Sequence, residues 1–353
     1  MKRTLTLFLY VVFNISVFMR AQLPLSDATW SLTQQDAFNT NTLSPQWITT
    51  YPWGAPVNNG DEYNSASNLL LTYSTGYLAI KCETVTPITY TAGPNSPYKY
   101  QSGVISSTWT AKYGYYEISA KLPVGMGYWP AFWIWGMGDT PYCWYNEIDI
   151  VENGGLVSSL GNQMGFNYWY YPSPVSPPCP ALPSCPGGSV IPPGIDVGTN
   201  IANEHKYAVF WEPDRFTYFF DDSPVFSVDN DPAHVPSHSL STIINFAIIP
   251  SNWLNPPDPN TVFPAYFQVN YFNLWQLTPD CSTVENICNF SAGSYTYAVK
   301  KSVTIGGSSC TSTINTGSNV SFWATDFVLL NEGTTINDNG SGSFLMRVTE
   351  CPN

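Results

Sequence analysis

Runs in which apolar and polar residues alternate recur along residues 28–277, separated by turn-forming residues. The clearest are NLLLTYSTGYLAIKC, YGYYEISAKLP, EHKYAVFWEPDRFTYFFDDSPVF, STIINFAII and AYFQVNYFNLWQL. A period of two is typical of strands with one buried face. Trp, Tyr and Phe make up 16 % of the chain, which also contains 30 Pro and 25 Gly, as turn-rich β proteins do. The sequence therefore predicts an all-β fold, and about 250 residues suit one large β-sandwich.

The first 21 residues have the pattern of a secretory signal peptide. Lys2 and Arg3 precede an apolar run from Leu5 to Met19, and RAQ supplies a cleavage point after Ala21. The run is too short and wrongly flanked for a membrane span; the alternative is a buried N-terminal helix. We expect an exported protein, secreted or held at the cell surface, without a membrane-spanning segment.

The composition changes after Leu277. Residues 281–353 are rich in Ser, Thr, Asn and Gly and hold four of the eight cysteines, with short alternating runs such as FVLLNEG and SFLMRVTEC. This predicts a second, small β module assisted by disulfides, serving as a spacer or cap or, alternatively, in carbohydrate binding. A Pro-rich stretch, 171–196, predicts a surface loop that CPALPSC can staple. The cysteine pairing is not deducible from sequence.

Charge and composition exclude several classes of function. Without residues 1–21 the chain has 9 basic and 25 acidic residues, a formal charge of −16, which disfavours nucleic acid and anionic membranes as partners. With three His and no CxxC pair, a zinc hydrolase or a Ser-His-Asp hydrolase is a weak interpretation.

Three carboxylates crowd the segment YNEIDIVENGG: Glu147, Asp149 and Glu152. In a regular strand the first two share a face, but Glu152 would point into the core. Burial of an unpaired carboxylate is costly. A one-residue β-bulge around Ile150–Val151 returns Glu152 to the face of Asp149. The spacing therefore predicts a bulged strand with all three acids on one face.

Carboxyl groups held this close raise one another's pKa values, so that one can stay protonated near neutral pH. A charged carboxylate beside a protonated one suits glycoside hydrolysis with retention, in which the two groups stand about 5–5.5 Å apart. The backbone positions of Glu147 and Glu152 lie about 13 Å apart on a pleated strand, so their side chains must lean together. Alone, the triplet fits a solvent-facing acidic strand equally well.

Aromatic residues precede the triplet in WPAFWIW, where Trp129, Ala131, Trp133 and Trp135 fall on one strand face and Pro130, Phe132 and Ile134 on the other. Exposed Trp rings are platforms on which sugar rings stack. We predict sugar contacts for Trp129 and Trp133, and core packing for Phe132 and Ile134. The other candidate substrate-binding residues are Asn167, Trp169 and Trp253, each with a structural role as the alternative.

With EIDIVE as the catalytic signature in its bulged form, the chain resembles glycoside hydrolase family 16, in its laminarinase/agarase-like branch, over most of residues 28–277. The segments YGYYEISAKLPVGMGYWPAFWIWG, EHKYAVFWEPDRFTYFFDD and FQVNYFNLWQL are similar to other parts of the pattern of that family. The resemblance implies a jelly-roll β-sandwich with a cleft on its concave sheet, and retaining endo-hydrolysis of a β-linked polysaccharide. By motif position, it assigns Glu147 as nucleophile, Asp149 as its helper and Glu152 as general acid/base.

The resemblance also implies that no cofactor is needed for the chemistry, although some members carry a structural calcium ion, whose ligands we do not assign. We expect a monomer. The chain departs from the family pattern at Ser119 and Asn273, where Arg is usual, at Asn270, where Asp is usual, and after the signature, where a familiar His is absent. Because none of these touches the triplet, we take them to bear on substrate identity.

The substrate and even the activity have alternatives. Sulfated galactans need cationic partners, and only Lys112, Lys121, Lys206 and Arg215 lie between residues 100 and 277. A neutral β-1,3- or mixed-linkage glucan is therefore our first expectation, and an agarase-, porphyranase- or carrageenase-type activity the second. A non-catalytic glycan-binding protein that keeps the sandwich is the third; such a protein has no need to retain all three acids.

Overall fold

The structure is a computed structural model. It describes residues 30–72, 76–137, 145–170, 188–190, 194–212, 215–228, 235–236, 238–288, 291–292, 295–296, 299–314, 319–337, 343–348 and 351. The expected signal peptide, most of the Pro-rich stretch, and Cys143, Cys179 and Cys185 lie outside these residues. No helix within the described ranges is long and apolar enough to cross a membrane. The chain divides into two compact units, one within residues 30–278 and one within residues 279–351.

The larger unit is built almost wholly of strands. They are β1 Trp30–Asp36, β2 Trp47–Ile48, β3 Glu62–Asn64, β4 Leu69–Thr72, β5 Tyr77–Ile88, β6 Tyr98–Ser102, β7 Val104–Ala111, β8 Gly114–Lys121, β9 Tyr128–Met137, β10 Tyr145–Glu152, β11 Gln163–Met164, β12 Asn167–Tyr170, β13 Gly188–Val190, β14 Ile195–Asp196, β15 His205–Glu212, β16 Arg215–Phe220, β17 Ser223–Val228, β18 Leu240–Ile248 and β19 Ala265–Leu277. The described residues of this unit also form two one-turn helices, α1 Leu156–Leu160 and the 3-10 helix Ala66–Asn68. Each alternating run quoted from residues 28–277 thus forms strands, which confirms the all-β prediction.

Two sheets enclose the core of this unit. A ten-stranded sheet has the order β17-β16-β15-β8-β19-β5-β6-β3, with β1 beside β19 and β4 beside β5, and a seven-stranded sheet has the order β13-β12-β10-β9-β18-β7-β2. Ile118 and Phe272 from the first sheet pack in the same cluster as Phe132 and Ile150 from the second, all fully buried. Each such side chain stabilises the fold by about 1.5–3 kcal/mol. The predicted split of β9 is confirmed, because Phe132 and Ile134 face this core while Ala131 and Trp133 pack on the opposite side.

The predicted bulge is present in β10. Against β9, Asp149 pairs with Trp133 and Val151 pairs with Phe132, so Ile150 is the extra residue. Ile150 and Val151 are consequently both fully buried, and Glu152 returns to the outer face opposite Ala131. We call the outer face of the seven-stranded sheet, which carries Glu147, Asp149 and Glu152, the acid face.

Glu62 is a fully buried carboxyl group at the start of β3. Its Oε2 accepts a hydrogen bond from the Ile248 N–H at 2.8 Å, whereas its Oε1 has no hydrogen-bond partner in the described part of the chain. Burial raises the pKa of Glu62 to about 8, and the hydrogen bond from Ile248 only partly offsets this effect. The group therefore holds its proton at neutral pH.

We predict that Glu62→Gln removes a pH dependence of stability. Between its ordinary pKa of 4.5 and about 8, the native state keeps a proton that the unfolded state has lost. The free energy of unfolding of the wild type therefore decreases as pH rises through this window, by up to about 1.4 kcal/mol per pH unit, and Gln has no proton to lose. Urea unfolding of both proteins across this window measures the two slopes. Glu83→Gln, at a partly exposed ion pair with Lys81, is the control; equal slopes for wild type and Glu62→Gln contradict the prediction.

The smaller unit consists of parallel sheets. Its strands are β20 Asp280–Ile287, β21 Ser291–Ala292, β22 Tyr295–Thr296, β23 Lys300–Ile305, β24 Ser312–Ile314, β25 Asn319–Leu330, β26 Thr334–Ile336 and β27 Ser343–Val348. They form a sheet β20-β23-β25-β22, with β27 also beside β25, and a sheet β21-β24-β26. All pairings described in this unit are parallel. The chain thus passes repeatedly between two parallel sheets, although β22 and β23 follow one another in the same sheet.

A small core and two disulfides stabilise this unit. Val303, Ile305, Val320, Phe322 and Ala324 form its buried cluster. Two bonds close loops of the chain, Cys281–Cys351 with a sequence separation of 70 and Cys288–Cys310 with a separation of 22, worth about 4 and about 3 kcal/mol respectively in the chain-entropy description. The four cysteines of this unit are thus paired among its strands and turns. Cys82, in the other unit, is a free buried thiol.

Candidate active site

The bulged strand gives the three acids different exposures. Glu147 and Glu152 are partly exposed on the acid face, whereas Asp149 between them is only 2 % exposed. A group that touches a substrate must reach solvent in the free protein. The two glutamates therefore have access to a ligand, and Asp149 can act only through its neighbours.

Two hydrogen-bond donors hold the Glu152 carboxyl group, and both belong to residues that the sequence analysis selected. Its Oε1 accepts a hydrogen bond from Trp129 Nε1 at 2.7 Å, and its Oε2 accepts one from Asn167 Nδ2 at 2.5 Å. Burial raises the pKa of Glu152, and the hydrogen bonds from Trp129 and Asn167 lower it in part. These donors fix the direction of the carboxyl group while its environment favours the protonated form, which is what a general acid requires.

Asp149 has a pKa raised well above its ordinary value. Burial is the main cause, followed by the nearby charges of Glu152 and Glu147 and a hydrogen bond shared with Glu147. One oxygen, Oδ2, has no hydrogen-bond partner in the described chain. A protonated Asp149 donates to Glu147 and thus favours the charged form of that glutamate.

The residues after the bulge fix the end of β10, and the sequence reasoning did not select them. The fully buried Asn153 donates from Nδ2 to Gln163 O at 2.7 Å and accepts from Gly165 N at 2.8 Å. The Glu152 N–H donates to Gly165 O at 2.8 Å. A side chain at Gly165 would stand 2.3 Å from Glu152 O, so only glycine permits this approach. The sequence signals were the Asn of NGG, directly after the acids, and the Gly of QMGFN ten residues further on.

The predicted aromatic residues around the acids differ in how much of each ring is exposed. Trp253 is 47 % exposed, and its ring centroid lies 5.6 Å from that of Trp129. Trp169 is 38 % exposed and pairs with Glu147 across β12 and β10. Trp133, by contrast, is only 5 % exposed, and its Nε1 donates to Asn245 Oδ1 at 2.8 Å. A sugar contact of Trp133 stays a prediction, limited to the small part of the ring that reaches solvent.

Trp53 is an exposed aromatic on this face that the sequence reasoning missed. It is 40 % exposed and stacks on the buried Tyr51, with ring centroids 4.7 Å apart. Its ring also meets Trp135 edge-on at 4.9 Å. In the sequence it is a single Trp in the turn segment YPWGAP, about 80 residues before β9, and no periodicity connects the two.

Three of the departures from the family pattern, Ser119, Asn270 and Asn273, lie on the other outer face of the sandwich. Ser119 alternates in β8 with the buried Ile118 and Ala120, so its side chain leaves the core on the ten-stranded side. Ser119 Oγ and Asn270 Nδ2 both donate to Glu204 Oε1 at 2.6 Å. Asn273 pairs with Glu117 in the same sheet. Their positions therefore do not support the expectation that these residues bear on substrate identity.

Three of the four cations between residues 100 and 277 lie on the ten-stranded sheet, Lys121 in β8, Lys206 in β15 and Arg215 in β16. Lys112 lies in the turn between β7 and β8, over the Tyr113 ring. Lys206 pairs with Asp222 at 2.8 Å. None of these four is on a strand of the seven-stranded sheet.

A metal centre is not assigned. Within the described ranges, no three His, Cys, Asp or Glu side chains converge in a way that could hold a metal ion. On the outer face of the ten-stranded sheet, Glu117 Oε1 accepts a hydrogen bond from Tyr271 at 2.8 Å. We assign no calcium ligands, and we assign calcium no part in the reaction.

Comparison with known proteins places this geometry in a family. Residues 58–261 match the model of glycosyl hydrolases family 16. Because the match covers more than half of the chain, the protein belongs to this family.

The individual relatives share only low sequence identity with this chain. The chain is 26 % identical over 284 residues to the endo-1,3-1,4-beta-glycanase EglC of Rhizobium meliloti, covering 73 % of this chain and 54 % of EglC. It thus spans about half the length of that relative.

Two solved structures show the shared fold. The laminarinase catalytic domain of Thermotoga maritima has a TM-score of 0.53 at 22 % identity, covering 70 % of this chain and 98 % of that domain. Porphyranase B of Zobellia galactanivorans has a TM-score of 0.57 at 20 % identity, covering 70 % and 92 %. At this identity the likeness concerns the fold alone, and the predicted jelly-roll β-sandwich is confirmed.

Proposed function

We propose that this protein is an exported endo-β-glycanase that hydrolyses a β-linked polysaccharide with retention of configuration. The observation that carries the proposal is the bulged β10, which presents Glu147 and Glu152 at the surface on either side of a buried Asp149. Family membership supports the same reaction class. The disulfides of the smaller unit support an oxidising, extracellular location.

In the first step, the Glu147 carboxylate attacks the anomeric carbon and forms a glycosyl ester. The bond to the leaving oxygen breaks as Glu152 transfers its proton to that oxygen. The environment of Glu152 suits this role, since burial raises its pKa and the hydrogen bonds from Trp129 and Asn167 aim the carboxyl group.

In the second step, Glu152 is a carboxylate and takes a proton from water, which attacks the anomeric carbon and releases Glu147. The hydrogen bonds from Trp129 and Asn167 stabilise Glu152 in this charged state. Burial and the neighbouring carboxylates raise the pKa of Asp149, which tunes Glu147 through the hydrogen bond that they share. No cofactor takes part in either step.

For the substrate we propose a neutral β-1,3- or mixed-linkage glucan. The aromatic residues Trp129, Trp253, Trp169 and Trp53 offer stacking surfaces near the acids. Lys121, Lys206 and Arg215 lie on the ten-stranded sheet, so they do not supply the cationic partners that a sulfated galactan needs near the acids. The name of EglC, an endo-1,3-1,4-beta-glycanase, agrees with this choice.

We predict that the wild-type protein cleaves laminarin or lichenan in a panel with agarose, porphyran and κ-carrageenan. Endo-cleavage predicts that viscosity falls well before many reducing ends appear, and retention predicts that the β-anomer is the first product seen by NMR. Cleavage of only a galactan would replace the proposed substrate. Binding to one polymer without cleavage of any would instead indicate a non-catalytic glycan-binding protein.

A further inference from the structure

Asn153, the residue directly after the acid triplet, is fully buried although its side chain is polar. The amide is bonded at both ends to one short segment: Nδ2 donates to Gln163 O at 2.7 Å, and Oδ1 accepts from the Gly165 N–H at 2.8 Å. An amide can serve a carbonyl and an N–H at once, which neither an ionised carboxylate nor an apolar side chain can do. The position therefore requires a donor and an acceptor together, because either backbone group left unpaired in the interior would be costly.

The backbone next to Asn153 is bonded to a second strand. The Asn153 N–H donates to Pro130 O at 3.1 Å, directly after Trp129 in β9. The Gly155 N–H donates to Tyr128 O at 3.1 Å, directly before Trp129. The segment that follows the triplet thus holds the backbone of Trp129 on both sides.

The segment bonded by the Asn153 side chain carries the other donor to Glu152. Gly165 lies two residues before Asn167, and the Glu152 N–H donates to Gly165 O at 2.8 Å. The Tyr218 hydroxyl, from the ten-stranded sheet, donates to Asn167 O at 3.0 Å. The backbone that carries Asn167 is therefore fixed from two directions, and Asn153 supplies one of them.

Asn153 consequently connects the two residues whose side chains bind the Glu152 carboxyl group. Trp129 Nε1 donates to Oε1 at 2.7 Å and Asn167 Nδ2 donates to Oε2 at 2.5 Å. These donors come from β9 and β12, which lie on opposite sides of β10. Because a misplacement of about 1 Å in a catalytic constellation can cost about 10²-fold in rate, the residue that sets both segments has leverage on the reaction.

We propose that Asn153 is a positioning residue for the general acid/base: it keeps the donors of Trp129 and Asn167 aligned with the Glu152 carboxyl group. This inference rests on the proposed function, because it assigns a supporting residue to the same reaction. Asn153 acts only through these neighbours, since it is fully buried. Both hydrogen bonds to Glu152 favour its charged form, so Asn153 matters most in the second step, where Glu152 is the base.

The other titratable groups that face Glu152 are few. Asp149 and Glu147 share the acid face of β10 with it. The Tyr218 hydroxyl reaches this region from the ten-stranded sheet, and burial raises its pKa well above the ordinary value, so it does not titrate near neutral pH. The side chains that β9 and β12 direct at the Glu152 carboxyl group are uncharged. A changed titration of Glu152 in a variant of the buried amide would therefore report the loss of its donors.

The test compares Asn153→Ala and Asn153→Ser with the wild type, in the full chain, on the polymer that the wild type cleaves. We expect Asn153→Ala to lower kcat about 10–100-fold. The basic limb of its kcat/KM profile, which reports the general acid of the free enzyme, should move to higher pH, because a weakened donor pair no longer favours the charged form of Glu152. The hydroxyl of Asn153→Ser can keep part of the bonding, so its effects should be smaller.

The matched control is Ser107→Ala, at another buried side chain that bonds a carbonyl and an N–H. Ser107 Oγ donates to Trp109 O at 2.6 Å and accepts from the Thr242 N–H at 2.9 Å. It lies in β7 of the same sheet, which β9 and β18 separate from β10. Ser107→Ala should lower the unfolding temperature without moving the basic limb.

A dinitrophenyl glycoside, whose leaving group needs no proton, gives a second readout. The first equivalent of dinitrophenol should be released by Asn153→Ala near the wild-type rate, and the second step should then be slow. An unmoved basic limb, or an equal loss on the polymer and in the first step on the dinitrophenyl glycoside, would show a merely structural role and overturn the inference while leaving the proposed function intact. A wild type that cleaves no polymer would overturn the proposed function itself. If Asn153→Ala does not fold, the same two readouts on Asn153→Ser decide.

Discussion

Glu147→Gln is expected to lower kcat by on the order of 10⁴-fold or more. The amide has nearly the shape of the carboxylate but cannot form the glycosyl ester, so the double-displacement route is closed. The substitution also removes one of three clustered acids, and the free energy of unfolding should therefore not decrease. Initial rates on the polymer cleaved by the wild type, together with thermal unfolding, measure both effects.

Two further measurements separate a nucleophile from a residue that merely supports the site. A 2-deoxy-2-fluoro glycoside with a good leaving group should trap the ester on the wild type, and mass spectrometry should find the adduct on the peptide containing Glu147. Glu204→Gln, on the opposite outer face, where Glu204 is bound by Ser119 and Asn270, should retain full activity. A trapped adduct on another residue, or normal turnover by Glu147→Gln, would show that the assignment of the nucleophile is wrong.

The strands and the bulge were predictable because they depend on local patterns. Alternation specifies which face of a strand is buried, and the cost of burying Glu152 leaves a bulge as the remaining solution for EIDIVE. The same reasoning gives no partner or direction for a strand. Residues 281–353 were therefore predicted as a β module, but not as the parallel sheets that the structure contains, since parallel pairing leaves no turn signal between paired strands.

The candidate site likewise contains residues that the sequence identified and residues that it missed or misplaced. Trp129 and Asn167 lie within two strands of the acids in sequence and sheet order, and both bind Glu152. Trp53 joins the site through ring contacts across a long sequence separation, which a single sequence does not reveal. Ser119 and Asn270 were assigned a role in substrate identity from a family pattern alone, and burial of Ile118 and Ala120 places Ser119 on the outer face of the other sheet. A family pattern identifies residues, whereas the packing of the two sheets determines which face each residue occupies.

Glu152→Ala is the second substitution for which we expect a large loss of activity, and the loss should depend on the leaving group of the substrate. On the polymer, whose leaving group is a poor one, loss of the general acid should lower kcat by about 10²–10⁴-fold. A dinitrophenyl glycoside departs without protonation, so its first step should remain near the wild-type rate while the second step, which needs Glu152 as base, becomes slow. A burst of dinitrophenol followed by slow turnover is the expected time course.

Rescue of Glu152→Ala by azide then tests whether Glu152 is the catalytic base. It is a nucleophile that needs no proton removed, and it fits the space left by the deleted side chain. It should therefore restore turnover of the dinitrophenyl glycoside by Glu152→Ala and yield the β-glycosyl azide, because attack on the ester of Glu147 inverts the carbon a second time. The wild type and Glu147→Gln should gain nothing from azide. If azide failed to accelerate Glu152→Ala, or yielded the α-azide, Glu152 would not be the acid/base. The hydrogen bonds from Trp129 and Asn167 would then have to be explained by a structural role of that carboxyl group.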